Sequence, residues 1–328
     1  MVKYVRITVA VIGVLLVLAV SSGCDLLARE QRVLNVTMLL AQGGLGDRSF
    51  NDSAYAGLQE AQRQSGVRFQ TVDFTSEQGN LDALRAAARE GTALIIGVGY
   101  ENARHIETVA AEFPDRHFAI LDTEGKGDNV ASVVYREPEG DFLMGVLAAM
   151  LTQTGKVGFV GGVEIPLLQR MATGFQQGVQ YENDEVEVAI DYAGSFADPE
   201  AGEELASAQY AAGVDVIYNA AGRTGLGVID AAKAAGKLTI GTSGDQRYLA
   251  PGNVVGNRPK RLDTAVLALI QEVQENRFTP GVRSLGLKEG GLSIGPFDPS
   301  LVTVAMQKRV DDLEKKIVAG EIVVETHP

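Results

Sequence analysis

The sequence is poor in the residues that form cross-links, metal sites and basic surfaces. Its 328 residues include no tryptophan and one cysteine, Cys24, so no disulfide can form within the chain. The three histidines, His105, His117 and His327, are too far apart in sequence to match the spacing of a metal site. Lysine and arginine number 29 against 42 acidic residues, which gives a net charge of −13. This acidic balance argues against nucleic acid as a partner, because phosphate binding needs a basic surface.

Enzyme signatures are also weak. The glycines of 222–227 do not follow the G-x-G-x-x-G order of a dinucleotide-binding turn, and no G-x-x-x-x-G-K-[ST] phosphate loop occurs. A Ser/His/Asp triad would have to use His105, inside an expected helix, or His117, at the start of an expected strand. We therefore predict no catalytic residues, no cofactor, no metal and a protein that is not an enzyme.

The N-terminus has the plan of a secretory signal. Lys3 and Arg6 precede an apolar run, Ile7–Val20, which small residues follow. This run of about 14 residues is shorter than the roughly 20 that a membrane-spanning helix needs. We therefore predict a signal peptide over 1–23 and a tether over 24–32.

The cysteine that follows the apolar run indicates how the chain is anchored. Cys24 and the residues before it resemble the bacterial lipobox, although Ser21 stands where a leucine is usual. The resemblance implies that Cys24 is lipidated and that the body is held at the cell membrane, facing the periplasm or the cell exterior. The alternative is an uncleaved membrane anchor with an incidental cysteine.

After residue 30 the spacing of apolar residues alternates between that of strands and that of helices, and this alternating series occurs in two successive blocks. Strands are predicted at Val33–Leu40, Val67–Phe74, Ala93–Val98, His117–Leu121, Val130–Tyr135, Lys156–Val160, Val186–Tyr192, Val214–Asn219 and Leu238–Gly241, with weaker ones near Arg283–Leu287 and Leu292–Ile294. Helices are predicted at Asn51–Gln62, Glu139–Thr152, Leu167–Gln180, Pro199–Ala212, Leu226–Ala235, Lys260–Glu275 and Gln307–Ala319, and at 81–88 and 106–113. This alternation predicts an α/β fold of two similar lobes, each with a mostly parallel sheet flanked by helices.

The lobes are expected to consist of 33–136 plus 246–277 and of 137–245 plus 278–328. In open parallel sheets, ligands bind beyond the carboxyl ends of the strands, so a cleft between the lobes is the expected site. The run GGLGDRSFN at 43–51 is one such strand end and leads into a helix. Ser49 and Asp52 form a capping-box pattern there, so the run is either a ligand-gripping loop or an ordinary turn.

Four ordered motifs resemble those of the basic membrane protein family, which includes the purine nucleoside receptor type. They are GGLGDRSFN at 43–51, GSFADP at 194–199, AAGRTG at 220–225 and DQRYLAPG at 245–252, with Lys260 and Arg261 at the usual distance beyond. The matches cover nearly the whole mature chain. The resemblance implies a type I periplasmic binding protein fold and a lipoprotein that binds the substrate of an ABC importer, often a nucleoside.

The aromatic residues of these motifs suit such a ligand. Phe50 and Phe196 fall on different lobes and are expected to sandwich a flat base, since stacking contributes about 1–3 kcal/mol per ring. Either could instead be an ordinary core phenylalanine. Gly222 either lets the backbone approach a ligand closely or only begins a helix.

Each polar candidate is likewise expected either to bind the ligand or to have an ordinary structural role. Asn51 is expected to read a base edge or to cap a helix, and Asp122 to accept from a ligand or to form a turn. Asp245 and Lys260 are expected to hold ribose hydroxyls by charge-assisted hydrogen bonds, or to form ion pairs. Many relatives carry an aspartate where this chain has Ser243, whose single hydroxyl oxygen cannot accept bidentately as a carboxylate does.

The resemblance therefore implies a monomeric, lipid-anchored binding protein that passes a nucleoside, with a purine preferred, to an ABC permease and its ATPase. A ligand-sensing lipoprotein, or a binder of another small aromatic or sugar ligand, is the alternative.

Overall fold

Two parallel β-sheets form the frame of the protein. A computed structural model describes residues 33–325, so the predicted signal peptide and the whole tether, with Cys24, lie outside the described residues. The strands are β1 (Asn35–Leu39), β2 (Arg68–Val72), β3 (Leu94–Val98), β4 (His117–Leu121), β5 (Val130–Tyr135), β6 (Lys156–Gly161), β7 (Glu187–Tyr192), β8 (Val216–Ala220), β9 (Leu238–Thr242), β10 (Val254–Arg258) and β11 (Gly281–Leu285). They pair in the order β11-β5-β4-β3-β1-β2 and in the order β10-β9-β8-β6-β7, and all the pairings are parallel.

Helices cover both faces of each sheet, as the alternating pattern predicts. They are α1 (Phe50–Ser65), α2 (Glu77–Arg89), α3 (Ala103–Glu112), α4 (Glu137–Leu151), α5 (Pro166–Glu182), α6 (Pro199–Ala211), α7 (Gly225–Ala235), α8 (Leu262–Gln274) and α9 (Val304–Val318). In the first lobe α1 packs with α8, and α2 packs with α3. In the second lobe α4 packs with α5 and α9, and α6 packs with α7. Within residues 33–325, no helix is both long enough and apolar enough to cross a bilayer.

Close contact between α4 and α5 depends on glycine. A Cβ atom on Gly145 would lie 2.0 Å from the Phe175 carbonyl oxygen, and one on Gly178 would lie 1.8 Å from that of Phe142. The two backbones therefore touch directly, and α4 is buried on most of its surface. This packing fixes the position of α5, whose first turns line the cleft described below.

The chain passes between the lobes three times, and two strands differ from the expected lobe boundaries. It crosses between β5 and α4, between β10 and α8, and between β11 and α9. The strand β10 was not predicted; it pairs with β9 in the second sheet, although 246–277 was assigned to the first lobe. The strand β11 pairs with β5 in the first sheet, although 278–328 was assigned to the second lobe. In place of the weak strand predicted at Leu292–Ile294, the structure has an isolated bridge between Leu292 and Lys260.

Candidate functional site

The loop between β1 and α1 is built around a buried aspartate. Asp47 accepts hydrogen bonds from the backbone N–H groups of Ser49 at 2.9 Å and Asn51 at 2.7 Å, and so caps the start of the helix. The predicted capping by Ser49 is therefore wrong. The Ser49 hydroxyl instead donates to the carbonyl oxygen of Thr242 in the second lobe, at 3.2 Å. This loop is thus an ordered element that reaches across to the other lobe.

A cleft between the lobes lies at the carboxyl ends of the strands, as expected for parallel sheets. It holds about 580 Å³ of empty space, counted out to the solvent at its mouth. Residues that follow β1, β3, β4, β7 and β8, and the end of β9, contribute to it. Its lining consists of Ser49, Phe50, Gly99, Tyr100, Glu101, Asp122, Ile165, Leu167, Leu168, Met171, Phe196, Ala220, Gly222, Thr242, Ser243, Arg258 and Lys260.

Aromatic residues line the cleft from both lobes. Phe50 is the first residue of α1, in the first lobe, and Phe196 follows β7, in the second. The Phe196 ring packs on Gly162, where a Cβ atom would lie 2.3 Å from the ring. Gly222 has a φ of 58°, a left-handed conformation that favours glycine, and it also lines the cleft. The structure thus brings Phe50, Phe196 and Gly222 to one cavity.

A buried ammonium and two carboxylates form the charged part of the cleft. Lys260 pairs with Asp122, and its Nζ lies 2.8 Å from Glu137 Oε1. The exposed fractions of these side chains are 5%, 7% and 1%, respectively. The ammonium also lies 5.6 Å from the centre of the Phe50 ring and 5.4 Å from that of Tyr135. The charges of this cluster are therefore held next to an aromatic wall.

Burial and charge pull the pKa values of this cluster apart. Burial raises the pKa of Asp122 to about 7, although the charge of Lys260 opposes the shift. Burial would also raise the pKa of Glu137, but the attraction of Lys260 outweighs it and keeps that pKa below its usual value. Burial alone would lower the pKa of Lys260, but the two carboxylates hold it above its usual value. Asp122 is therefore the group of the cluster that changes charge near neutral pH.

A second ion pair supports the cleft from the second lobe. Arg258, at the end of β10, donates through Nη2 to Asp141 Oδ1 at 2.5 Å and through Nε to the Tyr218 hydroxyl at 3.1 Å. The Tyr218 hydroxyl itself donates to Asp141 at 2.6 Å. Both charged side chains are fully buried, and burial raises the pKa of Asp141 to about 6. These hydrogen bonds hold the end of β10, two residues before Lys260, although Asp141 Oδ2 and Arg258 Nη1 are buried without a hydrogen-bond partner among the described residues.

Two of the residues expected to bind a ligand instead bond to other residues of the protein, away from the cleft. The Asn51 amide accepts from the Ala41 N–H at 2.9 Å and donates to the Ala41 carbonyl oxygen at 3.4 Å, so it secures the loop and does not line the cleft. Asp245 lies outside this cleft and pairs with Arg247 at 2.8 Å. Asp245 thus forms the ion pair that was its structural alternative, whereas Asn51 neither lines the cleft nor caps the helix.

Ser243 does line the cleft, beside Thr242. It has a φ of 63° and is 8% exposed.

Sequence reasoning missed several residues of the site. Glu137 follows a predicted strand and was not singled out, because an acidic residue in the first turn of a helix is common. Tyr100, which is 40% exposed at the cleft, follows β3 at the carboxyl end of the strand, where ligands of parallel sheets bind. The aliphatic wall formed by Ile165, Leu168 and Met171 has the spacing of an ordinary helix face and gave no separate signal.

One motif match that the sequence reasoning overlooked has no catalytic geometry. The run GLSIG at 291–295 has the G-x-S-x-G spacing of a nucleophile elbow, which needs a strand-to-helix turn. Here it follows β11 in the connection to α9, and the Ser293 N–H donates to the Pro259 carbonyl oxygen at 3.0 Å. In the part of the chain that the structure describes, no group of three or more His, Cys, Asp or Glu residues is placed to hold a metal ion.

Comparison with known proteins agrees with this architecture. A family model described as "ABC transporter substrate-binding protein PnrA-like" matches residues 34–327. The chain is 33% identical over 294 residues to basic membrane protein A of Borreliella burgdorferi, covering 87% of this chain and 86% of that protein. It is 30% identical over 315 residues to the ABC transporter nucleoside-binding protein BmpA of Lactococcus lactis, with 89% of each chain covered.

A solved structure confirms the predicted fold. The structure of an ABC transporter solute-binding protein from Aeropyrum pernix matches with a TM-score of 0.82 and 32% identity, over 89% of this chain and 93% of that one. Together with the two parallel sheets, this match confirms the type I periplasmic binding protein fold. The chain belongs to the Bmp family of PnrA-like ABC transporter substrate-binding proteins.

Proposed function

We propose that this protein binds a nucleoside, with a purine preferred, in the cleft between its lobes and delivers it to an ABC permease. The observation that carries the proposal is the pair Phe50 and Phe196, which line one cleft from opposite lobes beside the buried Lys260 cluster. The printed name of the Lactococcus relative, a nucleoside-binding protein, supports the same ligand class.

The chemistry of the cleft suits a flat, partly polar ligand. Aromatic faces stack on any base, with a contribution of about 1–3 kcal/mol per ring. Asp122 can accept a hydrogen bond from a base N–H when it is ionised and can donate one when it is protonated. Lys260 can donate to a ring nitrogen or a carbonyl oxygen. A base inserted between the rings would therefore meet both a donor and an acceptor at its edge.

Delivery to a permease rests on the family and on the N-terminal sequence. Substrate-binding proteins of ABC transporters work with a permease and an ATPase, and the chain carries the family signature over 34–327. In our proposal, lipid on Cys24 holds a monomeric body at the outer side of the cytoplasmic membrane. Ligand-dependent closure of the two lobes would then present a loaded form to the permease.

Titration calorimetry on the full-length protein in detergent tests the ligand class. We expect guanosine, inosine or adenosine to bind with a measurable affinity, and glucose and galactose to leave the heat signal unchanged. Sugar binding without nucleoside binding would contradict the proposal. Uptake of labelled nucleoside by cells with and without the gene then separates import from ligand sensing, because a sensor would bind the nucleoside without changing its uptake.

A further inference from the structure

Arg258 belongs to the wall of the cleft, and its side chain is fully buried. The guanidinium of an arginine holds its N–H donors in a fixed planar fork. Nε donates to the Tyr218 hydroxyl at 3.1 Å and Nη2 donates to Asp141 Oδ1 at 2.5 Å, and these two donors share one edge of the fork. Nη1, at the other edge, is buried without a hydrogen-bond partner among the described residues. The cleft wall therefore contains a buried cation with one edge unused.

A buried charged donor without a partner is costly, because it has lost its hydration and gained no hydrogen bond in return. The neighbouring acidic groups do not meet this need. Glu137 attracts the guanidinium, but neither of its carboxylate oxygens accepts a hydrogen bond from Arg258. Asp141 Oδ2 is also buried without a partner. The partner of Nη1 is therefore a molecule outside the chain, either the ligand of the cleft or a bound water.

The charges around Arg258 indicate that this ligand group is neutral. Asp141 balances the charge of the guanidinium, and the Lys260 ammonium already pairs with both Asp122 and Glu137. An anion would add a further negative charge to this buried set, whereas a neutral acceptor adds none. The carbonyl oxygen of a base is such an acceptor, with two lone pairs.

Purine bases differ in what they offer to a guanidinium. A 6-oxopurine presents O6 and N7 side by side as acceptors, and arginine is the commonest specific partner of this edge in nucleic-acid recognition. Adenine presents N7 beside an amino group, which is itself a donor. Because Lys260 lines the same cleft and is also a donor, an amino group is poorly matched to this part of the site.

We propose that Arg258 determines specificity in the cleft by donating through Nη1 to the carbonyl oxygen of a 6-oxopurine, so that inosine and guanosine are bound in preference to adenosine. This inference rests on the proposed nucleoside function and deepens it. The aromatic pair Phe50 and Phe196 leaves the choice among purines open, because stacking tolerates any base. Arg258 supplies that choice from the second lobe.

Titration calorimetry on the full-length protein with inosine, adenosine and purine riboside tests the selection. These nucleosides share the sugar and the ring system and differ at C6, which carries a carbonyl, an amino group or a hydrogen atom. The wild type is expected to bind inosine about tenfold or more tightly than either of the others, which is the contribution of one hydrogen bond to a charged group.

The other outcomes of this titration separate the two proposals. Binding of all three nucleosides within about threefold of one another would mean that bound water serves Nη1. That result overturns this inference and leaves nucleoside binding intact. Failure of all three to bind overturns the proposed function and this inference with it.

Two variants distinguish ligand selection from a purely structural role of Arg258. Arg258→Lys keeps a positive charge opposite Asp141 but has no second edge. The double variant Arg258→Met with Asp141→Asn removes both charges, so that neither is left unpaired in the interior. Thermal unfolding establishes that each variant folds, and each is expected to bind inosine and adenosine within about threefold of one another. If neither folds, the wild-type ratio decides alone.

Arg283→Lys is the matched control. Arg283 pairs with Glu272 in the first lobe at 2.7 Å and is not among the residues that line the cleft, so this variant should keep the wild-type preference for inosine. A preference for inosine that persists in both Arg258 variants would overturn the inference, because another residue would then bind the carbonyl oxygen.

Discussion

At the residue scale, the two phenylalanines of the cleft, Phe50 and Phe196, contact different neighbours. Phe196 lies against Gly162, so its ring is backed by the second-lobe backbone. Phe50 is flanked by the Lys260 ammonium, 5.6 Å from the ring centre. The ammonium lies over the face of this ring, where the negative charge of the ring's quadrupole attracts it.

Truncation of either ring is expected to weaken nucleoside binding. Phe50→Ala and Phe196→Ala should each cost about 1–3 kcal/mol of binding free energy, because stacking on a base contributes that much. Titration calorimetry with guanosine measures the effect. Phe278→Ala is the control, since that ring packs on His117 away from the cleft. Unchanged affinity in both cleft variants would refute the sandwich model.

The residue types of the site could be predicted better than their partners. Phe50, Phe196 and Gly222 were found because they follow strands in recognisable motifs, and the structure brings them together. Asn51 and Asp245 also occur in recognisable motifs, but Asn51 is hydrogen-bonded to Ala41 and Asp245 is paired with Arg247. Hydrogen-bond partners depend on side-chain directions, which residue order alone does not specify.

Asp122 makes the stability of the protein depend on pH. Its pKa is raised from 3.8 to about 7 in the folded protein, so between these values the folded state binds more protons than the unfolded state. The free energy of unfolding should therefore fall as pH rises from 5 to 8, with a slope of at most about 1.4 kcal/mol per pH unit from this group.

Denaturant titrations at several pH values measure this slope. Asp122→Asn should flatten it, while Asp141, whose pKa is raised to about 6, leaves a residual dependence in the lower part of the range. The exposed Asp128 provides the control, and Asp128→Asn should keep the wild-type slope. An Asp122→Asn profile that matches the wild type would mean that Asp122 titrates at its ordinary pKa.

At the element scale, the order of strands and helices could be predicted well from periodicity. The strand β10 was missed because its five residues, VVGNR, combine a glycine with polar residues and do not alternate. The lobe to which β10 and β11 belong could not be predicted, because sheet membership follows from pairing across the chain. The hydrophobic pattern of a strand is the same in either sheet.

Helix packing in the second lobe should be sensitive to a single methyl group. Gly178→Ala places a Cβ atom 1.8 Å from the Phe142 carbonyl oxygen, so α4 and α5 must move apart. We expect a loss of about 1–3 kcal/mol in the free energy of unfolding, as is usual for overpacked cores. Denaturant titration measures the loss.

A glycine in another helix provides the control. Gly79→Ala in α2 meets only the hydroxyl groups of Thr75 and Ser76, which can rotate without any movement of a helix, although the Ser76 hydroxyl then gives up its hydrogen bond from the residue 79 N–H. The higher helix propensity of alanine offsets part of this loss, so this variant should cost less than Gly178→Ala, about 1 kcal/mol or less. Equal destabilisation by both substitutions would mean that backbone contact between α4 and α5 is not the cause.

At the scale of the whole molecule, the crossings between the lobes pass through the charged cluster. Glu137 begins α4 just after the first crossing, and Lys260 lies within the second. Lys260 also bridges to Leu292 in the third. Lys260 therefore contacts all three connections, through its ammonium at the first and through its backbone at the third.

The lobes also touch across the cleft, away from these crossings. Arg223, in the turn after β8, donates through Nη1 to the Gly43 carbonyl oxygen in the first lobe, at 3.3 Å. Gly43 faces the Phe196 carbonyl oxygen closely enough that a Cβ atom would lie 3.1 Å from it. Ser49 makes a further contact, with Thr242. These contacts hold the two lobes together over the ligand site and would have to break for the cleft to open.

Removal of the arginine contact should therefore act on ligand release. One hydrogen bond contributes about 0.5–1.5 kcal/mol, so Arg223→Ala should speed dissociation of guanosine about two- to tenfold. Association should change little, because the open form lacks the contact in any case. Chasing labelled guanosine with unlabelled nucleoside measures the rate, and Arg104→Ala, an exposed residue of α3, is the control. A wild-type dissociation rate in Arg223→Ala, or a loss of affinity that arises from slower association, would show that the Arg223–Gly43 contact does not hold the cleft closed.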